Sequence, residues 1–546
     1  MASRHPMAAR LPDILIRREV YPMQAAASVP QRHIIIEDVT PSIDAGRYPV
    51  KRLQGEECRV TAHIFRDGHE LIKAVVRWRR QGQDGDVQVP MHCDNPGLDF
   101  WQAGFPLQQP GLYEFTVEAW TDHYASWLQG FSKRVAAHQS EAVSEAAEGL
   151  RLIKGNAAAA KHDAKKRMQA YITRLEACGA GMESFLSIAS EGQLLSLMGQ
   201  LDDRSDAVTW EPRLQVIVET AKAAFGSWYE FFVRSQGTVP GKGATFKDAA
   251  KRLSDVAGMG FDVLYLAPIH PIGVSFRKGR NNALLCTPQD PGSPWAIGSA
   301  AGGHMAIEPA LGTLADFDAF VLQAKKLGID IALDLALQCS PDHPWVKEHP
   351  EWFYKRPDGT IRYAENPPKK YQDIYPLNFD SPDAASLWQE ILRVVSFWVG
   401  HGVGIFRVDN PHTKPLAFWR WLIAEVKSRH PHVLFLAEAF TKPHMMYALG
   451  KVGFSQSYTY FTWRNSKDEI ESYLKELSSP SIKDIFRPNF FVNTPDILPH
   501  ILQKGGPAAF KMRLILAATL AGSYGIYSGF ELCESAALPD SEEYLD

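Results

Sequence analysis

The sequence predicts a multidomain α/β protein: a catalytic (β/α)8 TIM barrel, with a lobe inserted after its third strand, follows an N-terminal β-sandwich and a helical subdomain. Three observations predict it. Between about His33 and Phe131, short alternating apolar runs are divided by turns. From about Lys133 to Ala224, Ala, Glu, Lys, Leu and Gln take over at helical spacing. After Gly226, eight short apolar runs alternate with helical segments. A length of 546 residues accommodates these units side by side.

Residues 1–32 read as an N-terminal extension, its apolar runs cut by Arg, Pro or Asp before a signal-peptide core forms. Residues 33–132 carry "HIIIEDV", "CRVTAHIFRD", "AVVRWRR" and "LYEFTVEAW", with "QDGD" and "DNPGLD" between runs, the pattern of an antiparallel, immunoglobulin-like sandwich. Residues 133–224 form the helical subdomain, where a charge run such as "KHDAKK" reads as a solvated helix face. Within 225–546, "SWYEFFVRS", "FDVLYLAPIHPIG", "IDIALDLALQ", "GIFRVDN", "HVLFLAEAF", "SQSYTYFTWRN", "FFVNTPD" and "YGIYSGFEL" supply eight strands, which helices between them make parallel and close into a barrel. The inserted lobe, about 339–378, is rich in Pro, Tyr and Lys.

Composition narrows the function classes. Hydrophobic residues make up 45%, charged residues 22%, and the net charge is -4, which leaves no basic excess for a nucleic-acid backbone; no nucleic-acid partner is expected. The six cysteines, Cys58, Cys93, Cys178, Cys286, Cys339 and Cys533, lack CxxC spacing and read as reduced thiols. The longest uncharged run, Leu514 to Phe530, is broken by Gly522, Ser523, Gly525 and Ser528, so no membrane span is expected and the chain reads as cytoplasmic. Without a Walker loop or dinucleotide fingerprint, no nucleotide cofactor is expected.

The chemistry is concentrated where strands end. Asp334, Asp409, Glu438 and Asp496 close apolar runs, and in a parallel barrel all strand C-termini open on one face. Asp409 and Glu438 lie 29 residues apart and Glu438 and Asp496 lie 58 apart, about one and two βα units of roughly 30 residues. Such residues sit on strands four, five and seven. A strand-end Asp can simply cap the next helix, and a carboxylate group can hold Mg²⁺. Three carboxylates with no histidine pair beside them also suit glycosidic chemistry: one attacks the anomeric carbon, one carries a proton to and from oxygen, and all stabilise an oxocarbenium-like transition state. No metal is expected. Arg407, two residues before Asp409, is placed to favour its carboxylate form.

These residues carry a resemblance. "DIALDLALQ", "GIFRVDNPHTKP", "FLAEAF" and "FFVNTPDI" resemble the four ordered regions of the α-amylase superfamily. The resemblance implies Asp409 as nucleophile, Glu438 as acid/base and Asp496 as transition-state stabiliser, with Asp334 and Arg407 in support. Gln338-Cys339 and Thr494-Pro495 stand where ordinary amylases have Asn-His, which argues against plain amylase hydrolysis. More closely, "FRKGRNNALLCTPQDPGSPWAIGSAAGGH", "LALQCSPDHPWV", "ENPPKKYQDIYPLNFD", "VDNPHTKP" and "YGIYSGFELCE" resemble the maltosyltransferases that lengthen α-1,4-glucan from α-maltose 1-phosphate. That implies α-maltose 1-phosphate as donor, an α-1,4-glucan as acceptor and a homodimer. It places phosphate at Asn366, Lys369, Tyr371 and Asn410, and maltosyl hydroxyls at Lys278, Asn282 and Gln338. Tyr354, Tyr363, Tyr371, Tyr375, Trp345, Trp352 and Trp463 are candidate sugar platforms. The C-terminal β-domain of such relatives is expected to be absent. The rival readings are an α-glucan hydrolase or transglycosylase, and an inactive sugar-binding relative.

Overall fold

The computed structural model describes residues 33–367 and 369–545; the expected extension at 1–32 lies outside the described residues. The chain divides into two compact units. Trp120–Val208 with Phe65–Ile72 belong to one, and Ile36–Ile64, Lys73–Ala119 and the chain from Thr209 onward form the other.

In the larger unit eight strands make the barrel: β1 Gly226–Phe231, β2 Val263–Leu266, β3 Asp330–Leu335, β4 Ile405–Asp409, β5 Leu434–Glu438, β6 Gln456–Ser457, β7 Asn489–Phe491 and β8 Ser523–Tyr527. They pair in parallel in the order β6-β5-β4-β3-β2-β1-β8-β7. A parallel bridge from Ser457 to Pro488, with the Ser457 N–H 3.1 Å from the Arg487 carbonyl, joins β6 to the start of β7 and closes the ring. The strands are continuous apolar runs because helices cover one side and the barrel interior the other. Trp228, Val263, Tyr265, Ala332, Leu436, Tyr458 and Phe491 fill that interior. Tyr458 stacks on Phe491 at 4.4 Å, and a Cβ at Gly525 would stand 2.4 Å from the Phe491 ring, so β8 needs glycine there.

The lobe leaves β3 as expected. Its short pairings are Gln338–Cys339 with Tyr375–Pro376 and Ala364–Asn366 with Lys369–Tyr371. Trp345 and Trp352 form its core, 7% and 2% exposed, packed edge to face at 5.4 Å. This corrects their reading as sugar platforms: two indoles among the few large apolar groups of a small lobe are what holds it folded.

Two further sheets precede the barrel. One has Ile34–Thr40, Glu57–Arg66, Phe100–Pro106 and His92–Asn95 in that order; the other has Val50–Leu53, Leu214–Glu219, Gly111–Thr121, Ile72–Arg80 and Val87–Pro90. Trp78 of the second stacks on Phe105 of the first at 5.0 Å, so the apolar faces meet as in a sandwich. The boundaries differ from the expected 133–224 helical span. Helices begin at His123, where the Asp122 side chain accepts the Ala125 N–H at 2.9 Å, and end at Gln200. Leu214–Glu219 is a sandwich strand, antiparallel to Gly111–Thr121. A six-residue apolar run directly behind a helical stretch carries too little period of its own to be told from it.

In the smaller unit five helices from His123 to Gln200 enclose Trp127, Phe131, Ile153, Tyr171 and Phe185. Gly149 lets two helices touch: a Cβ there would fall 1.9 Å from the Trp127 ring.

Candidate active site

β4 and β5 run side by side with Asp409 directly opposite Glu438, and β3 places Asp334 opposite Arg407. Because side chains of register partners share a face, three carboxyls and one guanidinium meet at the barrel's C-terminal mouth. Arg407, 5% exposed, donates from Nη1 to Asp334 Oδ2 and to Asp409 Oδ1, each at 2.9 Å, and its Nη2 lies 3.4 Å from Glu438 Oε1. One cation thus clamps the nucleophile candidate and the acid/base candidate. Neighbouring strands lie about 4.8 Å apart, which fits the roughly 5–5.5 Å carboxyl separation of retaining glycosidic chemistry.

Asn410 turns the chain out of β4 at φ 43°, aiming its N–H at Glu438 Oε2, 3.1 Å away. Burial pushes the Glu438 carboxyl up to about 7; Arg407 pulls it back and Asp409 adds to the rise. A carboxyl held near neutrality can both give and take a proton. Asp334 is also pushed up by burial, against Arg407, and takes a 2.5 Å hydrogen bond from the Tyr265 hydroxyl of β2.

Asp496 arrives by a different route. Asn493, just beyond β7, is pinned by its Oδ1 accepting the Tyr527 N–H of β8 at 3.0 Å and its Nδ2 donating to the Tyr544 hydroxyl at 2.6 Å. Reciprocal backbone bonds between Thr494 and Ile497 then form a tight turn that presents Asp496. The residue is exposed, yet the crowding protein pushes its carboxyl upward; Arg407 opposes this and Asp409 adds to it, which makes all three electrostatic neighbours.

The expected substrate residues are partly assembled. Lys278 is buried and donates to the Lys370 carbonyl of the lobe at 3.2 Å. Gln338 is half-buried and donates to the Trp295 carbonyl at 3.4 Å, while Cys339 turns into the core beside His304 and His343. Tyr371 is half-buried in the lobe hairpin. The Asn366 backbone pairs with Lys369 there, but its side chain lies outside the described residues. Lys369 is ion-paired at 2.8 Å to Glu543. Asn282 is not brought into the cluster: it stands exposed at φ 60° on the turn 280–282. Of the platform candidates, Trp463 is half-buried and donates to Glu542 Oε2 at 2.9 Å; Tyr354, Tyr363 and Tyr375 are also half-buried.

Sequence reasoning missed five residues here. Lys414 donates to the Asp409 and Asn410 carbonyls at 3.5 and 3.3 Å, and burial lowers its ammonium's proton affinity against the pull of Asp409 and Glu438. Glu230, 1% exposed near the end of β1, has a buried Oε2 with no partner, and burial holds its carboxyl well above the usual range, against the pull of Arg407. Asp373 in the lobe is buried with Oδ1 unpartnered and is pushed up by burial, with Lys278 opposing. Tyr265 and Asn493 hold the carboxylates in place. For Glu230 and Tyr265 the signal was a polar side chain inside an otherwise apolar strand.

Comparison with known proteins is consistent along the chain. Residues 32–220 match the family described as "Alpha-1,4-glucan:maltose-1-phosphate maltosyltransferase, domain N/S". The chain is 49% identical over 518 residues to a protein of that name from Methylacidiphilum infernorum, covering 94% of this chain and 77% of the relative. It is 50% identical over 525 residues to the one from Rhodospirillum rubrum, covering 94% and 76%. For the Pseudomonas aeruginosa relative the figures are 48% over 522 residues, 95% and 78%. With the clamp in place on β4 and β5 and identity of this order over nearly all its length, the chain belongs to the α-1,4-glucan:maltose-1-phosphate maltosyltransferase family.

Proposed function

We propose that this chain transfers a maltosyl unit from α-maltose 1-phosphate to the non-reducing end of an α-1,4-glucan, with retention and release of phosphate. The observation that carries the reading is the Arg407 clamp, which holds Asp409 and Glu438 opposite each other in register. Asp409 Oδ attacks the anomeric carbon as the phosphate oxygen departs, giving a β-maltosyl ester. Glu438 then takes the proton of the acceptor's 4-hydroxyl as that oxygen displaces Asp409. Arg407 stabilises the carboxylates without touching the sugar, and Asp496 and Glu230 complete the polar mouth. Lys369, Tyr371, Asn366 and Asn410 are proposed for the phosphate, and Lys278, Gln338 and Asn282 for maltosyl hydroxyls. Water must lose to a sugar hydroxyl, an orientation effect that the lobe and the β6 loop are placed to supply.

The names of the relatives support the donor and acceptor. A homodimer and a cytoplasmic location complete the reading; the six unpaired cysteines favour the latter. Among the described residues no helix is long and apolar enough to cross a membrane. Incubation with maltose 1-phosphate and glycogen is expected to release phosphate and lengthen the glucan. Reducing sugar liberated from starch, with no phosphate released from the phosphorylated donor, would replace this reading with a hydrolase.

A further inference from the structure

Beside the carboxylate mouth lies a second cavity of about 690 Å³ that shares no lining residue with the carboxylate cluster. The loop after β1 (Phe232 to Ala244), the end of β2 (Ala267 to Ile272) and segments around Arg277, Pro291 to Pro294 and Glu308 to Leu311 enclose it. One wall is apolar and buried: Val233, Pro268, Ile269, Ile272 and Leu311. The charged part of the lining is cationic. Arg234, Lys242 and Arg277 line it against a single acid, Glu308.

That acid is already engaged, its Oε2 accepting the Ile272 N–H at 2.9 Å and its Oε1 the Ala310 N–H at 3.3 Å. Two arginines are held rigid by carbonyls. Arg234 Nη1 donates to Gly292 at 2.8 Å, and Arg277 donates from Nε to Gly273 at 2.9 Å and from Nη2 to Ile272 at 3.2 Å. Lys242 has no ion-pair partner among the described residues and sits between Gly241, at φ 75°, and Gly243. His270, buried in the wall, is lowered by burial to about 3 and stays neutral, so it adds no charge. A fixed pair of guanidinium groups, a lysine with no counter-ion and an apolar wall together recognise an anion that carries an apolar or ring-shaped body.

We infer that this cavity is a second binding site, for a phosphate ester with an apolar or ring body, distinct from the catalytic mouth. Its lining adjoins residues proposed for the mouth. Arg277 faces the cavity while the next residue, Lys278, is buried against the lobe carbonyl of Lys370. Phe232 packs edge to face on Trp295 at 5.8 Å, and the Trp295 carbonyl holds Gln338. An occupant here touches Arg277, next in sequence to Lys278, and Phe232, which packs on the Trp295 that holds Gln338.

Pyridoxal 5′-phosphate tests the inference, because its aldehyde forms an imine with a nearby lysine that borohydride fixes for peptide mapping. The enzyme is labelled with saturating maltose present, so that occupancy of the catalytic mouth does not confuse the result. Lys242 is expected to label saturably, and about tenfold faster than with pyridoxal, which lacks the phosphate, as charge-assisted contacts to the ester predict. Arg277→Ala should remove most of that preference while leaving pyridoxal labelling intact. Lys242 labelling no faster than exposed Lys251 or Lys475, or equal rates with the two aldehydes in the unaltered enzyme, would overturn the inference whatever the variant does. None of these outcomes depends on which donor the catalytic mouth accepts.

Discussion

Arg407 determines what the carboxyls at the barrel mouth can do. Its two short bonds to Asp334 and Asp409 leave Glu438 the looser contact, and burial keeps that carboxyl protonated up to about 7. The sign of the pH effect follows. A raised carboxyl has its proton below about 7 and loses it above, so the step that needs the base, deprotonation of the acceptor's 4-hydroxyl, is slow on the acid side, whereas phosphate is a good enough leaving group to depart without Glu438. Once Asp409 is esterified, a neighbouring negative charge disappears, Glu438 lets its proton go more readily, and it is ready as the base. With α-maltosyl fluoride, whose departure needs no proton from Glu438, and saturating glucan, kcat is expected to rise with pH and to level off by about 7, as Glu438 loses its proton and acts as the base; a flat profile across that region would contradict the assignment. Asp409, Glu438, Arg407 and Asp334 were legible in the sequence because charge at the end of an apolar strand is rarely placed without a partner or a task. Glu230 was only half legible: one acid within "SWYEFF" stands out in an apolar strand, but the run does not say which way its side chain faces before the barrel closes around it.

At the scale of elements, the segment that follows β8 crosses the mouth as a strap. Leu498 N–H bonds to the Glu542 carbonyl at 2.5 Å, Trp463 donates to Glu542, Tyr544 receives Asn493, and Glu543 reaches Lys369 in the lobe. Three elements far apart in sequence are thereby tied across one opening. The Glu543 carboxylate occupies the lysine that the proposed reaction assigns to the phosphate, so donor and strap compete for it. Both partners are partly exposed, and such pairs contribute about 1 kcal/mol or less. Glu543→Gln is accordingly expected to lower KM for maltose 1-phosphate about two- to fivefold with kcat little changed, read from initial rates of phosphate release. An unchanged or raised KM would contradict the competition. The strap was invisible in the sequence: "PDSEEYLD" has no periodicity, and its contacts span up to 174 positions. The eight barrel runs were visible because each is short, apolar and spaced by a helix. The strand Leu214–Glu219 was masked by the helical composition before it.

For the molecule as a whole, the sandwich is joined to the barrel through charge. Glu219, fully buried at the end of a sandwich strand, receives Lys427, Arg487 and the Ser455 hydroxyl of the barrel. Burial opposes its charge, but Lys427, Arg487 and Lys51 outweigh that and hold it far below the usual carboxyl range. Lys51 is itself lowered by burial to about 7. Removing the one anion leaves buried cations facing each other, a change that costs about 3–5 kcal/mol in comparable networks. Glu219→Gln is expected to lower the thermal midpoint markedly, and a midpoint equal to that of the unaltered protein would show that the network does not join the two parts. The catalytic claim itself rests on Asp409 becoming covalently bound to sugar, and one measurement addresses it directly. Glu438→Ala, mixed with maltose 1-phosphate and no acceptor, is analysed by intact mass and peptide mapping. The account predicts a gain of one maltosyl unit on the peptide containing Asp409, with one phosphate released per chain; phosphate release with no adduct, or an adduct on any other peptide, would contradict it.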